Sequence, residues 1–252
     1  LSADEHIVIC TMSHLIGDGQ SFEVVIVEMS QIYSSFSHGQ PSPLPELSVQ
    51  YVDYAAWQRQ WLQGEELETR LAYWREQLAD APWKLNLPQR RARPKVQNFK
   101  GARHTTEISP AQTEALRDLS RREGTTLFMT MLSGFVLLLK LYTGDDDILV
   151  GSTYANRERA EIEKLIGILN NAFVLRVNLS GADTFKDVIK RVREVCLDAY
   201  TYQVPPELLR EDMVKRGSDR DRLFDAWFQL EKQRHEEFDM KGLTVTPYQE
   251  AK

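Results

Sequence analysis

The residues best equipped for chemistry stand together near the start of the chain, in Ser13-His14-Leu15-Ile16-Gly17-Asp18-Gly19. Histidine accepts or passes a proton near neutral pH, and a carboxylate four positions on can orient it or brace the loop that carries it. A lone His beside a glycine turn is more often a structural hydrogen-bonding group, so both readings stand on these residues alone. Ser13, His14 and Asp18 also invite comparison with a serine-hydrolase triad. Neighbouring side chains on extended backbone point to opposite faces, however, which keeps Ser13 from passing its proton to His14, and no G-x-S-x-G elbow occurs in the sequence. The run Asp145-Asp146-Asp147 lacks the spaced oxygen ligands of a calcium loop and reads as a solvated turn. Cys10 and Cys196 stand far apart in apolar contexts, with no C-x-x-C and no His at ligand spacing. Reduced thiols, no metal site and a cytoplasmic setting are the expectation.

The elements that must position these groups follow from periodicity. His6 to Met12 is a β-branched apolar run that predicts a buried strand, placing the His14 group on the loop leaving it, where reacting groups are commonly presented. Because the chain opens almost inside this strand, residues preceding Leu1 are expected. Ser21 to Phe36 has helical spacing, residues 37–48 with three prolines form a connector, and Tyr51, Tyr54, Trp57 and Trp61 mark a second helix. A third helix is expected from Glu65, after a break at Gly64. Residues 81–98, with Pro82, Pro88, Pro94 and the cluster Arg90, Arg91, Arg93 and Lys95, suit a crossing between two lobes. The division is then 1–85, a crossing at 86–100, and 101–252.

Beyond the crossing, Gly101 to Ile108 predicts a strand. Ser109-Pro110 is an N-cap followed by a first-turn proline, opening a helix over 111–123. A hydrophobic helix spans 126–141, strands follow at 148–151 and 172–179, helices at 185–200 and 205–216, and strands at 222–230 and 243–248. Strands alternating with helices give an α/β class.

Composition excludes several functions. Of 252 residues, 42% are hydrophobic and 27% charged, which suits a packed globular chain. The 31 Lys and Arg against 37 Asp and Glu give −6, which argues against nucleic acid as a partner. The longest apolar stretch, Phe128 to Leu139, falls short of the roughly 20 residues of a membrane span, and no basic n-region precedes an apolar run at the N-terminus, so a signal peptide is not expected. No membrane partner is expected.

Five or six segments, in order, resemble the condensation domains of nonribosomal peptide synthetases, within the chloramphenicol acetyltransferase-like superfamily. The H-H-x-x-x-D-G signature of that family stands here as Ser13 to Gly19, with Ser13 in place of the first histidine. Tyr51 to Gln58 is similar to Y-x-D-Y-A-x-W-Q, Gly144 to Gly151 with Ala155-Asn156-Arg157 to G-x-D-D-I-x-V-G…A-N-R, and Ile166 to Arg176 to I-G-x-F-V-N-T-x-x-x-R. Tyr202 to Pro205 and Leu223-Phe224 are weaker echoes.

The resemblance implies a two-lobed fold of mixed sheets flanked by helices, of which this chain is the middle, lacking part of each end. It implies amide-forming acyl transfer between thioesters on phosphopantetheine arms. Those arms belong to upstream and downstream peptidyl carrier proteins on one assembly line with an adenylation domain, so no cofactor is bound directly. It assigns His14 as base or orienting group, Asp18 as a structural carboxylate paired with Arg157 across the lobes, and Gly19 as the position where an arm approaches the backbone. Asn171 and Gln229 are tunnel-lining candidates. An ester-forming or non-catalytic relative and an epimerisation domain are the alternatives, since Ser13 cannot carry charge or fill imidazole volume.

Overall fold

The computed structural model describes residues 2, 4–88, 101–217, 223–231, 240 and 242–246. In chain order the elements are α1 (Gly19–Phe36), α2 (Tyr51–Trp61), α3 (Gly64–Gln77), α4 (Pro110–Arg122), α5 (Leu127–Thr143), β1 (Asp147–Tyr154), α6 (Ala160–Glu163), β2 (Asn171–Asn178), α7 (Phe185–Thr201), α8 (Pro206–Lys215) and β3 (Ala226–Trp227). They form two compact units. The first takes the described residues within 1–64, 154–171 and 231–252, and the second those within 65–153 and 172–230. Residues 154–171, and Arg157 with them, therefore group with the N-terminal stretch. Most of the expected crossing, including the cluster Arg90 to Lys95, lies outside the described residues.

In the first unit, α1 begins at a capped aspartate. Asp18 sits at the N-cap in extended backbone, its carboxylate accepts from the Ser21 N–H, and the Ser21 side chain returns a bond to the Asp18 backbone. Helix α2 opens with Asp53 accepting from the Gln50 N–H at 2.9 Å. Its buried Tyr54 packs with Ile162, Leu165 and Leu169 in a small core of the unit.

In the second unit the order of the three-stranded sheet is β2-β1-β3, with β1 and β3 parallel. Both long strands are almost wholly buried at their centres. The apolar run over 127–143 folds as a buried helix because Thr126 caps it and Gly144, at φ 74°, closes it in the left-handed conformation. Helix α5 packs between α4 and α7. Leu132, Val136, Val150, Leu175, Val177, Val192 and Cys196 are fully buried there. Arg176 locks the end of α3 to the sheet, bonding Asp147 and the Gln77 and Ala79 carbonyls. The Trp74 Nε1–H donates to the Tyr202 carbonyl at 2.6 Å, and Arg70 reaches the Thr201 and Gln203 carbonyls. That is the physical work of the Tyr202-Gln203 segment.

Four expected strands need correction. Residues 6–12 are not a strand. Ile7, Val8 and Ile9 are 43%, 80% and 84% exposed and Cys10 is exposed, because no neighbouring strand among the described residues takes up their hydrogen bonds. Residues 101–108 are exposed and irregular for the same reason. Of 222–230 only Ala226–Trp227 pairs in the sheet, and residues 243–246 do not pair; positions 222, 247 and 248 lie outside the described residues. The helices over 19–36, 51–61, 64–77, 110–122, 127–143, 185–201 and 206–215 follow the sequence expectation within a few residues.

Candidate active site

The candidate site lies in the first unit, where the His14 turn meets the segment 154–171. Residues 13–16 close a turn through the Ile16 N–H donating to the Ser13 carbonyl at 3.1 Å, and the Leu15 N–H donates to the Ser13 hydroxyl at 3.3 Å. Ser13, His14, Leu15 and Ile16 are exposed, whereas Gly17 and Asp18 are buried. No described residue is hydrogen-bonded to the His14 ring.

Asp18 braces the loop and does not orient the imidazole. Its Oδ1 accepts from the Ser21 N–H at 2.8 Å, the Ser21 hydroxyl at 2.7 Å and the Arg157 Nη2 at 3.0 Å. Its Oδ2 accepts from the Leu169 and Asn170 N–H groups at 3.1 and 3.2 Å. Burial pushes this carboxyl up, but the Ser21 side-chain and backbone bonds, the Leu169 N–H and the Arg157 charge together hold it below the usual carboxylate range.

Arg157 is the organiser on the other side. Side chains of the pair are 2% exposed each. Arg157 Nη1 donates to the Ile162, Glu163 and Leu165 carbonyls, at 2.6 Å for the last, so one guanidinium folds the segment 157–167 around itself. A charge pair this deep holds together because most of its hydrogen-bonding groups are satisfied; the Arg157 Nε–H is buried without a partner among the described residues. Within this unit the expected Asp18–Arg157 pair is present.

The remaining motif residues form a scaffold behind the pair. Tyr51 Oη donates to the Ile168 carbonyl at 3.0 Å, and its ring lies so close to Gly167 that a Cβ there would fall 2.1 Å from it. Tyr54 Oη accepts from Asn156 at 2.7 Å and from Gln58 at 3.1 Å. Burial pushes the Tyr54 hydroxyl up, against the Asn156 bond. Arg159 lies 5.0 Å over the Trp57 ring, which stacks on Trp61. The tyrosine-rich helix and the A-N-R and I-G segments are therefore one interlocked construction.

The profile of the condensation domain matches residues 1–252. This chain belongs to the condensation-domain family. It is 42% identical over 248 residues to a linear gramicidin synthase of Brevibacillus parabrevis, covering 98% of this chain and 3% of the synthase. It is 40% identical over 246 residues to malpinin synthetase of Mortierella alpina, covering 97% of this chain and again 3% of that protein. The X-domain from teicoplanin biosynthesis superposes with a TM-score of 0.73 at 24% identity over 84% of this chain and 49% of that one. The likeness establishes the α/β, chloramphenicol acetyltransferase-like fold. This condensation domain spans a small part of its curated relatives and about half of the solved X-domain.

Of the other expected site residues, Gly19 opens α1 with nothing within 4 Å of a built Cβ. Asn171 donates to the Tyr154 hydroxyl at 3.2 Å. Gln229, in the second unit, accepts from Trp227 Nε1 at 3.1 Å. Two contributors escaped the sequence reading: Ser21, and the backbone N–H groups of Leu169 and Asn170. The spacing of Asp18 and Ser21, which is that of a capping box, was the available signal for the first. No side-chain pattern announces the second.

Proposed function

We propose that this condensation domain catalyses amide-forming acyl transfer in nonribosomal peptide synthesis. The observation that carries the reading is a division within the motif: Asp18 has both oxygens engaged in buried bonds, while His14, four residues earlier, is exposed, with no bond to its ring among the described residues. A group held for structure is saturated; one held for proton work has to be reachable.

In the reaction, the amine of an acceptor aminoacyl thioester attacks the carbonyl of a donor acyl or peptidyl thioester. A C–N bond forms, the C–S bond breaks, and the donor's thiolate leaves. His14 orients the amine or takes its proton, and the departing thiolate ends as a thiol. Both reactants are substrates on phosphopantetheine arms, delivered by upstream and downstream peptidyl carrier proteins. An adenylation domain on the same assembly line loads them, in the cytoplasm. Gly19 supports this reading, since the space at its Cα is open for an arm to pass. Asn171 and Gln229 are proposed to line the route of the substrates.

The test loads donor and acceptor carrier proteins, mixes them with the full-length protein, and compares wild type with His14→Ala by mass of the product. Amide formation by the wild type that drops by about 100-fold or more in the variant supports the reading. Equal product from both removes His14 from the chemistry and leaves a non-catalytic or differently reacting domain.

A further inference from the structure

Ser21 lies in the first turn of α1, is fully buried, and stands between the His14 turn and the segment 154–171. Its hydroxyl oxygen accepts from the Asp18 N–H at 3.2 Å, the Gly167 N–H at 3.1 Å and Arg157 Nη2 at 3.0 Å. Its single proton has two acceptors in reach, Asp18 Oδ1 at 2.7 Å and the Gly167 carbonyl at 2.9 Å. A structural serine at a helix start needs only the capping bond. This one also gathers a charge pair and a backbone segment 146 residues further along the chain.

The same side chain touches the base of the turn. A Cβ built on Gly17 would lie 3.2 Å from Ser21 Cβ and 2.5 Å from Met12 Sδ, so Gly17 is pressed onto Ser21 without room for a side chain. Between the closed turn 13–16 and the capped Asp18 there is only Gly17. The backbone carrying His14 thus has one short, tightly packed link to a fixed point, and that fixed point is the Ser21 side chain.

We infer that Ser21 is a positioning residue for the reaction, holding the His14 turn in register with the Gly167 backbone through its shared hydroxyl. This rests on the reading of His14 given above. It extends that reading to a residue that touches no reacting atom and acts through Asp18, Gly17 and Gly167. A displacement of about 1 Å in an orienting group is enough to slow a reaction strongly while substrate still binds.

The experiment uses the full-length protein with loaded carrier proteins and three variants, Ser21→Ala, Ser21→Cys and His14→Ala. Rates are expressed per folded molecule, with the folded fraction taken from thermal melts, and kcat is separated from the KM for the acceptor carrier. Cysteine keeps the shape of serine but hydrogen-bonds weakly, so it carries the test if alanine prevents folding. Both Ser21 variants are expected to lower kcat by about tenfold with KM within about twofold of wild type. A residue that served only the fold would change the folded fraction and leave the rate per folded molecule alone. Wild-type kcat in Ser21→Cys, alongside a slow His14→Ala, overturns the Ser21 inference and spares His14. A His14→Ala variant at the wild-type rate removes the reading beneath it, and the inference with it.

Discussion

At the scale of residues, an exposed imidazole at residue 14 stands beside a buried and fully bonded carboxylate at residue 18. Asp18 and Arg157 hold each other in a place where neither finds water, so deleting one strands the other. Arg157→Ala should lower stability by about 3–5 kcal/mol, read from denaturant midpoints. It should cost far more than removal of an exposed pair such as Arg117 with Glu114. The pH dependence has a definite sign. In the unfolded chain Asp18 titrates at about 4, and in the fold it titrates lower, so its contribution is complete above about pH 5 and fades as pH falls through the folded value. The stability difference between wild type and Asp18→Asn should therefore be flat at neutral pH and shrink on acidification; a difference that grew instead would contradict the assignment. Gly19→Ala makes the opposite kind of test. The added methyl enters open space at a helix start, so melting should be unchanged, while product formation should fall if the proposed passage of an arm over this position holds.

At the scale of elements, the helices were legible and most strands were not. Helix ends carry their own chemistry: Ser109 with Pro110, Thr126 with Gly144, and Thr184 with Asp187 mark boundaries within a residue or two. A strand is completed by a neighbour, and residues 6–12 and 101–108 have the composition of strands without a partner among the described residues. The site was legible in the same uneven way. His14, Asp18 and Arg157 stand out by type and motif, whereas the Leu169 and Asn170 donors are backbone groups placed by the fold of 157–167 around a guanidinium. The join between α2 and that segment is testable through Gly167. Gly167→Ala drives a methyl into the Tyr51 ring and should cost about 1–3 kcal/mol in thermal or chemical melts. Adding Tyr51→Leu, which opens the space, should recover part of that loss, short of the full amount because the bond to the Ile168 carbonyl goes too.

At the scale of the whole molecule, the two cysteines report folding from different places. Cys196 is wholly buried on α7, and burial pushes its thiol up to about 12, while Cys10 is exposed. A thiol reagent should modify one site in the native chain and two in denaturant, with the second appearing at the unfolding rate of the α5–α7 packing. Two rapid modifications under native conditions would contradict the buried core. Whether the reachable imidazole works while the buried carboxylate braces is decided by single-turnover amide formation with His14→Ala at a temperature where it melts like wild type. The rate should fall by at least about 100-fold with the fold intact; an undiminished rate from a folded His14→Ala protein would take the imidazole out of the chemistry.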